Sequence, residues 1–139
     1  MNTRPILLVD DSPDDVDLTL RAFKRRKLVN PIEVARDGEE ALGWIGRWDA
    51  GAPRPVVILL DVNMPKIGGL EVLRQLKSHP IYHTIPVVIL TTSAFSEDVR
   101  TAHQYGTNSY IIKPVNFEKF MDVAATIELY WAVLNVLPD

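Results

Sequence analysis

The chain has no cysteine, which excludes a disulfide-stapled scaffold and any thiolate metal site. It has no basic excess: 15 Lys and Arg stand against 18 Asp and Glu, a net charge of -3. A generic nucleic-acid binder runs the other way. No charge-free stretch approaches the ~20 apolar residues that span a bilayer. The apolar run that follows Arg4, Ile6 to Val9, is too short for a secretion signal. Internal repeats, low-complexity segments and a Gly-rich phosphate loop are also missing from the sequence. What remains is a chain of 139 residues, 47% hydrophobic and 24% charged, enough for one domain with a full core. A soluble, cytoplasmic, single-domain protein is the expectation, with no nucleic-acid or membrane partner.

What is there is a rhythm. Short apolar runs recur: Ile6 to Val9, Ile32 to Ala35, Val56 to Leu60, Val87 to Leu90 and Tyr110 to Ile112. The first, third and fourth have no polar interruption, as strands covered on both faces do. The segments between them have helical spacing. Ser12 can cap the first, with Pro13 at its opening position. Asp37-Gly38 leads into Glu39 to Trp48, Gly69 opens Leu70 to Ser78, and Ser96-Glu97-Asp98 starts a helix that Gly106 stops. Asn116 caps a last helix running toward Pro138. Five strands alternating with five helices predict an α/β fold with a parallel sheet and helices on both faces.

In such a sheet, ligands bind beyond the carboxyl ends of the strands. There the sequence places Asp10 and Asp11, then Asp61 with Val62-Asn63-Met64-Pro65, then Thr91-Thr92, then Lys113-Pro114. Three carboxylates at one edge repel one another, and a hard divalent cation such as Mg²⁺ removes the conflict. A lysine and a threonine beside them suit phosphoryl oxygens. Asp14 and Asp15, in the first turn after Ser12-Pro13, read differently: the helix dipole favours negative charge there.

These stretches together resemble the response-regulator receiver domain, the phosphoacceptor half of two-component signalling. The carriers are Leu8-Val9-Asp10-Asp11, Leu60 to Pro65, Leu90-Thr91-Thr92 and Lys113-Pro114, each closing a predicted strand in order. Thr91-Thr92-Ser93, Asn108 to Val115 and Trp131 further resemble the small regulators paired with bacterial phytochromes. The resemblance covers residues 1–139 as a single receiver domain with no output domain. It implies a doubly wound (βα)5, flavodoxin-like fold with strand order 2-1-3-4-5. It also implies that Asp61 is the phosphoacceptor for a sensor histidine kinase. Asp11, Asp61 and the Asn63 backbone carbonyl would bind Mg²⁺ (or Mn²⁺) directly, and Asp10 through water. Thr91 and Lys113 would stabilise the phosphoryl group, Thr91 and Tyr110 would form a switch pair, and a cis Lys113–Pro114 bond would aim the lysine. Asn63 and Ser93 occupy positions that tune hydrolysis in the family. Such a protein catalyses only its own phosphorylation and dephosphorylation. Two departures stand out: Gly68 where many receivers carry Asp or Asn, and Thr92 where a smaller residue is usual.

The competing reading is a phosphatase of the haloacid-dehalogenase type, which also uses a nucleophilic Asp, Mg²⁺ and Lys. That family's nucleophile follows strand one and needs an Asp two residues later; Asp10 is followed there by Ser12, and Asp11 by Pro13. His79, His83 and His103 lack metal-ligand spacing and read as surface residues. Trp44 and Trp48 read as helix packing. From Val123 to Leu137 only Thr126, Glu128 and Asn135 are polar. Phe120, Ala124 and Ile127 can face the sheet, which leaves Tyr130, Trp131, Leu134 and Leu137 either as an intramolecular hook over the domain or, the preferred reading, as candidates for a homodimer contact together with the face of the fifth strand.

Overall fold

The computed structural model describes residues 4–138. Five strands form one parallel sheet: β1 (Ile6–Val9), β2 (Ile32–Ala35), β3 (Val57–Leu60), β4 (Val87–Thr91) and β5 (Ser109–Ile112), in the order β2-β1-β3-β4-β5. Five helices follow them: α1 (Pro13–Arg25), α2 (Gly38–Asp49), α3 (Gly69–Lys77), α4 (Ser96–Gln104) and α5 (Phe117–Ile127). This is the expected doubly wound arrangement, with strand ends displaced by at most a residue or two.

Alternation along the strands divides the core in two. Leu7, Val9, Ile58, Leu60, Val87 and Ile89 face α2, α3 and α4, where they meet Ala41, Trp44, Trp48, Leu73, Leu76 and Ala102. Ile6, Leu8, Val57, Leu59, Val88 and Leu90 face α1 and α5, where they meet Val16, Phe23, Phe120, Ala124 and Ile127. β1, β3 and β4 are buried along their whole length, so both faces need apolar side chains. Each fully buried Val, Leu or Ile is worth about 1.5–3 kcal/mol. Trp44 and Trp48 pack as expected, with both indole nitrogens buried.

Caps fix the helix starts. Ser12 Oγ accepts from the Asp15 amide at 3.3 Å, Asp37 Oδ1 from Glu40 at 2.7 Å, and Asn116 Oδ1 from Lys119 at 3.1 Å. Gly68 offers α3 no side-chain cap. His79 is more than a surface residue. Its Nδ1 accepts from the Ile81 and Tyr82 amides and opens a short 3₁₀ turn, Tyr82–Thr84.

The expected C-terminal extension is present but not wound as an α-helix. Glu128–Leu134 form a π-helical segment, and the chain is extended from Asn135. Leu137 precedes Pro138 and so disfavours helix. The Asn135 amide donates to the Tyr130 carbonyl at 2.7 Å, closing the wider turn. Trp131 and Leu137 fold back onto the α1–α5 core, while Tyr130 and Leu134 remain exposed. Two of the four residues expected at a dimer contact thus pack on the chain's own core. Among the described residues, no helix is long and apolar enough to cross a membrane.

Candidate functional site

Backbone ladder bonds continue one residue past the strands and pin the site's side chains. The Asp10 amide donates to Ala35, Asp61 to Val9, and Lys113 to Thr91, at 2.7–3.0 Å. Asp10, Asp61, Thr91 and Lys113 are all buried, and Asp11 is exposed at the rim. The elements that carry them are separated in sequence by whole βα units, so only the completed sheet brings them together.

Gly69 sets the floor. A Cβ there would lie 1.9 Å from the Asp61 carbonyl oxygen, so only glycine lets α3 start this close to β3. The Gly69 amide in turn donates to the Val62 carbonyl at 3.0 Å. This close approach holds the loop that carries Asn63.

Asp61 is bracketed on both oxygens. Thr91 Oγ1 donates to Oδ1 at 2.5 Å, the Asn63 amide lies 3.4 Å from the same oxygen, and Lys113 Nζ stands 3.8 Å from Oδ2. Asp10 is fully engaged: Oδ1 accepts from the Ser12 amide at 3.0 Å and Oδ2 from Lys113 Nζ at 2.6 Å. Burial raises the pKa of the Asp10 carboxyl, against the opposing pull of Lys113 and the Ser12 amide. Burial alone would lower that of the Lys113 ammonium, but Asp10, Asp61 and Asp15 outweigh it and the pKa is raised.

Asp10, Asp11 and Asp61 each offer a carboxylate oxygen, all within 4.8 Å of one another. An all-oxygen, all-anionic donor set at one sheet edge fits a hard divalent cation of the Mg²⁺ or Mn²⁺ class. Both Asp10 oxygens are already hydrogen-bonded, whereas Asp11 stands exposed at the rim.

Thr91 connects to Tyr110 through Ser93. The Ser93 amide donates to Thr91 Oγ1 at 3.3 Å, and the Tyr110 hydroxyl donates to the Ser93 carbonyl at 2.9 Å. Ser93 Oγ donates to Asp98 Oδ2 at 2.6 Å, which ties the same loop to α4. Thr92, by contrast, is exposed.

Two expectations are corrected. Among the described residues no peptide bond is cis, so Lys113–Pro114 is trans. The trans form is favoured by about 0.5–1 kcal/mol even before proline, and with it the lysine still reaches Asp10. Asp15, read only as a helix-dipole residue, also accepts from Lys113 Nζ, at 3.1 Å. The signal for it was its place in the first turn after β1, which points back at the strand ends. Asp98 was missed as well.

The comparisons agree with this geometry. Residues 6–125 match the response regulator receiver domain family. The probable methanogenesis regulatory protein FilR2 of Methanothrix harundinacea is 40% identical over 134 residues, covering 96% of this chain and 86% of that one. Response regulator Rcp1 of Synechocystis is 36% identical over 136 residues, covering 96% and 92%. Its Mn²⁺-bound crystal structure superposes with a TM-score of 0.87 at 35% identity, covering 98% and 99%. The phosphorylated cyanobacterial phytochrome response regulator RcpA superposes with a TM-score of 0.91 at 34% identity, covering 99% and 100%. With its sheet order, its acidic cluster and the family match over most of its length, the chain belongs to the response regulator receiver domains of two-component signalling.

Proposed function

We propose that this receiver accepts a phosphoryl group onto Asp61 from the phosphohistidine of a sensor histidine kinase, with Mg²⁺ (or Mn²⁺) bound, and signals through protein–protein contacts. One observation carries the reading: the Asp61 carboxylate is buried between Thr91 Oγ1 at 2.5 Å and Lys113 Nζ at 3.8 Å, beside two further carboxylates. Asp61 Oδ2 attacks phosphorus as the P–N bond breaks, and the bonding pair leaves on the imidazole nitrogen. The work lies in positioning and charge compensation, because the protein has little covalent chemistry to do. Lys113 neutralises one phosphoryl oxygen and the Thr91 hydroxyl donates to another. Asp11, Asp61 and the Asn63 carbonyl would hold the cation directly and Asp10 through water, and it would supply further charge neutralisation when bound. The Thr91–Ser93–Tyr110 chain then couples the phosphoryl group to the β4–α4 loop and the face of β5.

The kinase we favour is of the bacteriophytochrome type. Support comes from relatives named as phytochrome response regulators. For the output we favour a homodimer through the exposed apolar residues Tyr130, Val133 and Leu134 and the exposed Ile112 of β5. A monomer mass by light scattering at tens of micromolar would remove the dimer. The central test is ³²P transfer from phosphorylated histidine kinases with Asp61→Asn as control. Label that needs Mg²⁺ and vanishes in Asp61→Asn is the expected outcome, and label retained by that variant refutes the assignment.

A further inference from the structure

Lys113 is held by more carboxylates than phosphoryl stabilisation requires. Its ammonium lies 2.6 Å from Asp10, 3.1 Å from Asp15 and 3.8 Å from Asp61. Two of these partners are buried, whereas the Asp15 side chain is 36% exposed. Its backbone is nevertheless fixed. The Asp15 amide donates to Ser12 Oγ, and its carbonyl accepts from the buried Thr19 hydroxyl at 2.8 Å. The carboxylate is therefore carried on an anchored backbone at the lip of the site.

We infer that Asp15 is a positioning residue for Lys113, competing with the phosphoryl group on Asp61 for one of the lysine's donors. The inference rests on the phosphoacceptor reading of Asp61. Of the two acids that hold the ammonium within hydrogen-bond distance, only Asp15 can release it cheaply. An exposed carboxylate regains water when its partner leaves, while a buried one is left with an uncompensated charge. A phosphoryl oxygen can thus take the Asp15 contact without disturbing the Lys113–Asp10 pair. Asp15 then sets how tightly the lysine grips the phosphoryl group, and it makes the acyl phosphate less stable than Lys113 alone would.

Asp14 provides the control. It lies in the same first turn of α1 and carries the same charge at the same helix end, and among the described residues it has no ion pair with Lys113. The test uses the full chain with beryllofluoride, a non-transferable mimic of the phosphoryl group, at saturating Mg²⁺ and read by ¹⁹F NMR. Asp15→Asn should bind beryllofluoride about fivefold more tightly than wild type, the factor a partly exposed ion pair sets, and Asp14→Asn should match wild type. A second readout does not involve the loaded site. In Mg²⁺-free protein the ¹H–¹⁵N ammonium resonance of Lys113 should shift in Asp15→Asn and stay in place in Asp14→Asn, which a purely structural loss at the helix start would not produce. Equal or weaker beryllofluoride binding by Asp15→Asn, with binding abolished in Asp61→Asn, overturns the inference alone. Binding retained by Asp61→Asn overturns the phosphoacceptor reading and the inference with it.

Discussion

Replacing Asp11 by Asn should make the protein more stable without metal and less stable with it. Asp11 is exposed and lies within 4.8 Å of carboxylate oxygens of both Asp10 and Asp61. At that separation two unit charges repel by about 1 kcal/mol in a water-like dielectric. Two such pairs, partly offset by Lys113, leave a net relief of about 1 kcal/mol when the charge is removed. Asparagine keeps the side chain's volume. For 139 residues the unfolding entropy is about 0.3 kcal/mol per kelvin, so the metal-free variant should melt ~3 °C above wild type. Mg²⁺ at ten times its Kd adds about 1.4 kcal/mol to a protein that binds it, a rise of ~5 °C for wild type. The variant, having lost a direct ligand, gains little. Scanning calorimetry in EDTA and in graded MgCl₂ should therefore show the two melting curves exchange order. A metal-free variant no more stable than wild type refutes the repulsion argument. A full Mg²⁺ shift in the variant refutes Asp11 as a ligand.

Gly69→Ala places a Cβ 1.9 Å from the Asp61 carbonyl oxygen and should cost about 1–3 kcal/mol in urea melts. A Cβ at Gly68 would meet nothing nearer than 3.7 Å and Asn supplies a cap, so Gly68→Asn should show a gain of a few tenths of a kcal/mol in the same melts. Trp131→Ala should lower stability by about 2 kcal/mol, less than a fully buried Trp loses, because the side chain packs on the α1–α5 core. Leu134→Glu should leave stability unchanged and weaken only self-association, read by light scattering. Burial raises the pKa of the Glu33 carboxyl above its ordinary value near 4.5, against Arg47. The stabilising contribution of its protonated form is therefore full below that value and lost as pH rises through the raised one. Glu33→Gln mimics the protonated form, and its advantage over wild type should grow between pH 4 and pH 7. A constant difference would contradict the shift.

The strands and the principal site residues were legible because both depend on the same contrast. An uninterrupted apolar run marks a strand buried on both faces, and the first polar residues beyond it mark the strand's carboxyl end. Asp10, Asp61 and Thr91 announce themselves this way, and Lys113 follows the shorter run of the half-buried β5. Asp15 did not, because an acid in a first helical turn already has a sufficient explanation in the dipole. The role of Ser93 depends on how the β4–α4 loop turns, which no periodicity encodes. The π-helical segment was illegible for a different reason. From Val123 to Leu137 apolar residues lie on every side, so the pattern has no phase to separate a 3.6-residue turn from a wider one.

The bond between Lys113 Nζ and Asp10 joins residues 103 positions apart. During synthesis at about 5–20 residues per second, roughly 5–20 s separate the making of the two partners. Throughout that interval the acids at the end of β1 exist without their lysine. A nascent chain therefore has no Lys113–Asp10 pair until β5 has been made and docked. Timing of this kind belongs to any sheet whose outermost strand brings an indispensable group to a site begun by the first.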